Sequence, residues 1–346
     1  MRVCFLVLFH MSFLRIVGDS MDNFQTGVGG NTVKGGSVNT GKHVDAPAGG
    51  YRIEAVDEGH FSLGRIAGIR HNYHLHPLMQ LDRLEQLANS LVATDQCRFI
   101  ARDTKVTSAF QHEKQSLDGR SIDAVFRNIE EPGSWVALYN IQTDPAYKAF
   151  VWDVMASANQ IVEKHETVFD VRGFIFISAP PSVTPFHIDR ENNFWLQVHG
   201  RKTLNVWHRT DRDVVRAADV EDFIVWGGLE NVRLKDEMMD RSLEFSCGPG
   251  DGVYFPSTTP HMTRSDRTWV QPGNGVTVSI GIVFYTNVTR RNAYVYSVNR
   301  MLRQHAGLQP RPPQQSLLVD SLKYPVGKLA VALQRRFRGY APPPGF

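Results

Sequence analysis

The chain has 346 residues, enough for one large domain with extensions or two modest ones. Its 42% apolar and 21% charged composition is ordinary for a soluble globular protein. Three widely spaced cysteines, Cys4, Cys97 and Cys247, argue against a disulfide framework and against a CxxC-type zinc site, and favour a reducing, cytoplasmic setting. The net charge of +3 hides an asymmetry: from Asn287 to Phe346 ten Lys/Arg face one acid, Asp320, leaving the rest of the chain acidic. The plain reading of this tail is a solvated helical region. A contact with an acidic partner, a membrane surface or nucleic acid is the sharper one, but no helix-turn-helix or other DNA-reading motif stands out.

Along the chain, Val3 to Leu14 is an apolar run behind Arg2, too short to span a bilayer and without a small-x-small cleavage site after it. Met11 and Met21 are alternative starts, and the expectation is a non-secreted N-terminus. Residues 27–50 are rich in Gly, Asn, Thr, Val and Ser without period, so residues 1–50 read as a disordered or mis-assigned lead. Leu78, Leu81, Leu84, Leu87 and Leu91 form a helical stripe. A second helix is expected over Asp144–Glu166, with Asp144 as N-cap and Pro145 at the first helical position. From Val171 the pattern turns to strands: 173–177, 185–189, 194–198, 203–207, 253–255 and 276–285, with an earlier one at 135–141. Many short strands between Gly, Pro and polar turns predict a mainly β barrel or two-sheet jelly roll with flanking helices. Beyond Ala293 helices resume, broken at Gln309–Gln315. Val326, Leu329, Ala330, Leu333 and Phe337 share one face of the last of them.

His187-Ile188-Asp189 is the chemically pointed feature. Residues i and i+2 of a strand share a face, so His187 and Asp189 can reach one metal ion together. His261, arriving from a distant strand, would complete two imidazoles and a carboxylate on one side of the ion, a set suited to non-haem Fe(II). Alone the pair is weak in a chain with 13 histidines. His199-Gly200 resembles a two-residue hairpin turn. Pairing Val198 with Arg201 sets Gln197 opposite Lys202, Trp195 opposite Leu204 and Asn193 opposite Val206, on one face, with Phe194, Leu196, Val198 and Thr203 on the other. A lysine beside Trp and Leu is either at a rim or waiting for an anion. Pro249-Gly250-Asp251-Gly252 marks a turn, then a short strand, Pro256 and His261, which by itself could simply cap a loop. Trp195 reads as a packed barrel aromatic, and Tyr139 as able to reach the same pocket. His71, His74 and His76 have no accompanying carboxylate and read as a histidine-rich helix-entry loop.

These pieces resemble the cupin superfamily, and more closely its JmjC-type Fe(II)/2-oxoglutarate oxygenases, the branch with protein asparaginyl and ribosomal-protein hydroxylases. His187, Asp189, Asn193 and Gly200 follow the second half of the first cupin motif, with Asp and Asn as the substitutions. Gly250, Pro256 and His261 follow the second motif, with Thr258 and Ser265 in place of its second Gly and its Asn. The resemblance covers roughly residues 70–290. It implies a double-stranded β-helix core over 171–290, supported by 51–170 and followed by a basic helical region, 291–346. It also implies His187, Asp189 and His261 as ligands of Fe(II), and 2-oxoglutarate as co-substrate with its distal carboxylate on Lys202, fifteen residues after the first ligand. Thr184 and Asn193 match co-substrate positions. Ser279 stands loosely where that group has an Asn. The activity implied is hydroxylation, or demethylation through a hydroxymethyl stage, of an unidentified protein, peptide or small molecule. The alternative is a non-catalytic cupin-type binding or regulatory module using its basic tail. A homodimer through the C-terminal helices is a further expectation.

Overall fold

Strands here form wherever apolar and small polar residues alternate between turn signals, and most of them lie beyond Val168. The computed structural model describes residues 47 and 49–346, apart from 101–103, 106, 109, 111–112, 114–118, 133, 160, 163–165, 267 and 269–274. The expected lead, its apolar run and its alternative starts lie almost wholly outside the described residues.

In chain order the elements are β1 (Ile53–Ala55), β2 (Ala67–His71), α1 (Leu81–Val92), β3 (Cys97–Phe99), α2 (Ile122–Arg127), β4 (Trp135–Leu138) and α3 (Pro145–Ala158). There follow β5 (Val168–Ser178), β6 (Ser182–His187), β7 (Asn192–His199), β8 (Lys202–Val206), α4 (Ala217–Trp226), β9 (Leu243–Cys247) and β10 (Asp251–Phe255). The chain closes with β11 (His261–Ser265), β12 (Thr277–Thr286), α5 (Asn287–Ala306) and α6 (Leu317–Arg338). Among the described residues the strands make two antiparallel sheets, β1-β2-β10-β7-β12-β5-β4-β3 and β6-β11-β8-β9. Two antiparallel sheets with helices on their outer faces are a jelly-roll core, as expected.

One expected pairing is overturned. β7 and β8 do not form a hairpin, because β7 has both edges occupied, by β10 and β12. β8 instead pairs with β11 and β9 in the other sheet, so Lys202 lies opposite Cys247 rather than Gln197. Gly200, at φ +63°, makes the turn between sheets; a Cβ there would sit 2.7 Å from the Val276 carbonyl oxygen. Alternation within each strand survives, but Thr203 lies in a different sheet from Phe194, Leu196 and Val198. Trp195, Leu204 and Val206 meet Val253 and Phe255 in one buried cluster. Phe194, Leu196 and Val198 face outward into the large core with Leu84, Leu87, Phe126, Val151 and Val154 of the covering helices. Each such fully buried side chain contributes about 1.5–3 kcal/mol.

The helices follow their local signals. The Asp144 carboxylate accepts the N–H groups of Ala146 and Tyr147 at the start of α3. α3 stops at Ala158, short of the expected Glu166: Ile161 and Val162 still pack on the core, but from a turn whose N–H groups bond to the Ala158 carbonyl. α5 starts earlier than expected, because Thr286 and Thr289 form a reciprocal capping box directly at the end of β12. Cys97 and Cys247 are free and buried. Among the described residues no helix is long and apolar enough to cross a membrane.

Candidate metal centre

Strand register builds half of the site. β6 and β11 are antiparallel neighbours with His187 directly opposite His261, and the two rings lie 4.1 Å apart. His187 Nδ1 is 2.7 Å from the Pro185 carbonyl oxygen, and His261 Nδ1 is 3.0 Å from that of Thr259. A carbonyl can only accept, so Nδ1 carries the proton in both rings and each Nε2 presents a lone pair. Burial, and then the neighbouring His187, push the His261 imidazole down to about 4, which keeps it neutral at physiological pH.

Asp189 lies two residues beyond His187 but outside the strand, in the loop before β7. This corrects the expected strand 185–189: the i, i+2 relation brings the two side chains together, but across the end of β6. One Asp189 carboxylate oxygen is 3.9 Å from His187 Nε2 and the other 3.5 Å from His261 Nε2. One ligand atom from each of the three residues lies within 4.8 Å of the others, the only such group among the described residues. Two imidazoles locked as Nε2 donors by carbonyls, plus one carboxylate, make a donor set that fits a divalent first-row metal.

The Asp189 backbone carbonyl accepts the Thr258 N–H at 2.8 Å. Thr258 adopts φ +62°, a left-handed conformation that glycine takes without strain. The residue replacing the motif's second glycine thus still occupies a glycine-type backbone position. Ser265, in place of the motif's asparagine, bonds Ser182 Oγ at 2.6 Å.

A cavity of about 240 Å³ opens from the three ligands, lined also by Thr184, Asn193, Thr263 and Ser279. Lys202 is 1% exposed, and its ammonium reaches the Ser279 hydroxyl at 3.4 Å. Burial pulls Lys202 down to about 7. The Lys202 side chain is therefore not at a rim, and no carboxylate pairs with it among the described residues. The Asn193 Oδ1 and Gln197 Oε1 atoms are buried without a hydrogen-bond partner. Tyr139 and Trp195 also line the cavity; burial, with Asp189 adding, raises the Tyr139 hydroxyl well above its ordinary value.

Other site residues had no clear sequence signal. Phe110 stacks on His187 with ring centres 4.3 Å apart, yet it comes from a loop with no period. Phe174 and Phe176 are in a predicted strand, but alternation alone does not say which face looks into the barrel. Arg190 lies 4.4 Å over the Phe223 ring of α4, a helix the sequence reading missed. In the His71–His76 run, expected as a helix-entry loop, His71 instead ends β2; its Nε2 bonds the carbonyls of Gln197 and Asp251, and burial pushes its imidazole down to about 3.

Fold and site together define a jelly-roll protein with a two-histidine, one-carboxylate centre. Residues 151–290, less than half of the chain, match the family model described as the JmjC domain. No curated protein matches the chain. Among solved structures, the ribosomal oxygenase YcfD from Escherichia coli is similar at 15% identity and a TM-score of 0.43, over 81% of this chain and 67% of that one. The same protein in complex with cobalt and 2-oxoglutarate gives 15% identity and a TM-score of 0.44, over 83% and 69%. At such identity and overlap, neither lends its chemistry to this chain.

Proposed function

We propose that the protein is an Fe(II)- and 2-oxoglutarate-dependent oxygenase that hydroxylates, or demethylates, a substrate reaching the aromatic mouth of the cavity. The observation that carries this reading is Lys202. A buried ammonium with only one long hydrogen bond costs several kcal/mol unless an anion joins it, and here the adjoining cavity leads to three metal-ligand atoms. A short dicarboxylate with a 2-oxo acid at one end satisfies both ends at once.

In this reading His187, Asp189 and His261 would hold Fe(II). When bound, the iron and 2-oxoglutarate supply oxygen activation coupled to decarboxylation of the co-substrate to succinate and CO2. The chain's own residues do the rest. Lys202 binds the distal carboxylate as a point charge, and the Thr184 and Ser279 hydroxyls donate to the same group. Asn193 and Tyr139 line the path between the two ends. Phe110, Phe174, Phe176 and Phe223 exclude water and strengthen the ion pair. Two free, buried cysteines fit a cytoplasmic protein.

His187→Ala and Asp189→Ala are expected to abolish iron-dependent succinate formation from 2-oxoglutarate, measured by coupled or mass-spectrometric assay. Full turnover by Asp189→Ala would remove the proposal. A non-catalytic binding module would instead take up 2-oxoglutarate and release no succinate.

A second copy is the proposed partner of α6. Its outward face carries Leu318, Leu322, Val326, Leu329, Leu333 and Phe337, each about half or more exposed, while Asp320, Gly327 and Val331 face the body. Val319, Leu322, Val326, Leu329 and Leu333 follow 3-4-3-4 spacing, the seam of a helix pair. The seam is self-complementary when run antiparallel: Val326 meets the partner's Leu329, and Leu322 meets the partner's Leu333. Lys328 and Arg335 fall outside it. Leu329→Glu is expected to convert a dimer into a monomer in size-exclusion with light scattering, whereas a wild-type monomer overturns the assignment.

A further inference from the structure

The two histidines rest on paired strands, but Asp189 does not, and its loop is tied down from behind. The Thr258 N–H donates to the Asp189 carbonyl at 2.8 Å, and the Ser257 N–H to Asn192 Oδ1 at 2.9 Å. Arg190 donates to the Phe223 carbonyl at 2.5 Å. The Tyr285 hydroxyl donates to Glu191 Oε1 at 2.6 Å. These four bonds decide where the carboxylate between them stands.

Residues 340–346 reach the residues that make three of these bonds, Arg190, Ser257 and Tyr285. Gly339, at φ +62°, ends α6 and turns the chain back. The Tyr340 hydroxyl donates to the Val225 carbonyl at 2.5 Å, and its ring packs on Trp226. At the other end Phe346 packs on Tyr294 with ring centres 5.3 Å apart and joins the cluster around Phe186 and Trp207. Between these anchors Gly345, at φ +99°, lies flat on Tyr285: a Cβ at this position would fall 2.5 Å from the ring. Pro344, Gly345 and Phe346 close one small cavity with Arg190, Ser257 and Tyr285. All three of those residues tie down the Asp189 loop.

We infer that residues 340–346 are a strap that positions Asp189 for metal binding, with Gly345 and Tyr285 as positioning residues. The inference rests on the reading of His187, Asp189 and His261 as metal ligands. The strap acts by keeping water from the Tyr285–Glu191 and Arg190–Phe223 bonds and by pressing Tyr285 onto Glu191. Without it the loop is held only by the backbone bonds at Ser257 and Thr258. The carboxylate then spends part of its time out of reach of an ion that the two imidazoles alone bind weakly.

Co(II) titration of the apo protein, followed by calorimetry or visible absorption, tests this on the full chain. Gly345→Val, which drives a side chain into the Tyr285 ring, is expected to raise the Co(II) Kd about tenfold, the range typical for loss of outer support to a metal ligand. Tyr285→Phe keeps the ring and removes only the bond to Glu191, and is expected to give a smaller rise in the same direction. Phe346→Tyr, which keeps the anchor, is expected to bind as wild type. The apo thermal midpoint separates positioning from general loosening, and is expected to change little in Tyr285→Phe. Wild-type Co(II) affinity in both Gly345→Val and Tyr285→Phe overturns the strap while leaving the metal site intact. A wild-type chain that fails to bind Co(II) overturns the metal-site reading and the strap with it.

Discussion

The two ends of the cavity are built on opposite electrostatic footings. At the metal end each histidine has its proton committed to a backbone carbonyl, and burial keeps His261 neutral, so the ligand atoms are ready before any ion arrives. At the other end Lys202 is buried with one hydroxyl at 3.4 Å. One end is satisfied by the fold, and the other is left in tension that a ligand resolves. The difference teaches where affinity and stability trade against each other: the metal end can be removed with little gain in stability, the lysine end cannot.

The comparison breaks most readily at Lys202. With Mn(II) in place of iron, Lys202→Met is expected to weaken 2-oxoglutarate binding about 100-fold, the scale of a lost charge-assisted bond in a dry site. Calorimetry showing an unchanged Kd would mean that the anion sits elsewhere.

Next in size is a pH effect. Lys202 is held at about 7, below its ordinary 10.5, so above pH 7 the co-substrate must bring a proton with it. Its affinity is expected to fall by about tenfold per pH unit above 7 and to flatten in Lys202→Arg. For the apo protein the sign is opposite. A depressed folded value means that the stability share of Lys202 is fully present above 10.5 and is lost as pH falls through 7, so apo stability rises between those limits. A flat urea midpoint across that window in wild type, relative to Lys202→Met, would break the comparison.

The same tension makes Lys202→Met a stabilising change in the apo protein, by about 1–3 kcal/mol in urea denaturation, since a buried charge gives way to an apolar chain of similar length. The smallest effect belongs to the metal end. Thr258→Gly removes a left-handed threonine but keeps the N–H that holds Asp189, so stability is expected to move by no more than about 1 kcal/mol, with unchanged Co(II) affinity. A tenfold loss of affinity would show that the side chain, not the backbone bond, positions the loop.

Much of the site was legible because its spacing is local. His187, Asp189, Asn193 and Lys202 fall within sixteen residues, and Trp195, Leu204 and Val206 do meet in one cluster, although the hairpin pairing from which their shared face was read is absent. Pairing was not legible, since β7 is flanked by strands drawn from Asp251–Phe255 and Thr277–Thr286, far along the chain, and a glycine turn suits a change of sheet as well as a hairpin. The apolar stripe of α6 was visible as a face, but only the packing of Gly327 and Val331 against the body shows that this face points outward. Phe110 was beyond reach because aperiodic loops carry no directional signal. The strap was hidden for the same reason: Pro344-Gly345-Phe346 reads as a loose end until its anchors on Tyr285 and Tyr294 are seen.

The most direct test is anaerobic titration of the apo protein with Fe(II) and then 2-oxoglutarate, followed in the visible region. The account predicts a weak charge-transfer band that appears only when both are present, is lost in Asp189→Ala, and needs a far higher 2-oxoglutarate concentration in Lys202→Met. No band in the wild-type protein, or an identical band in Asp189→Ala, would contradict it.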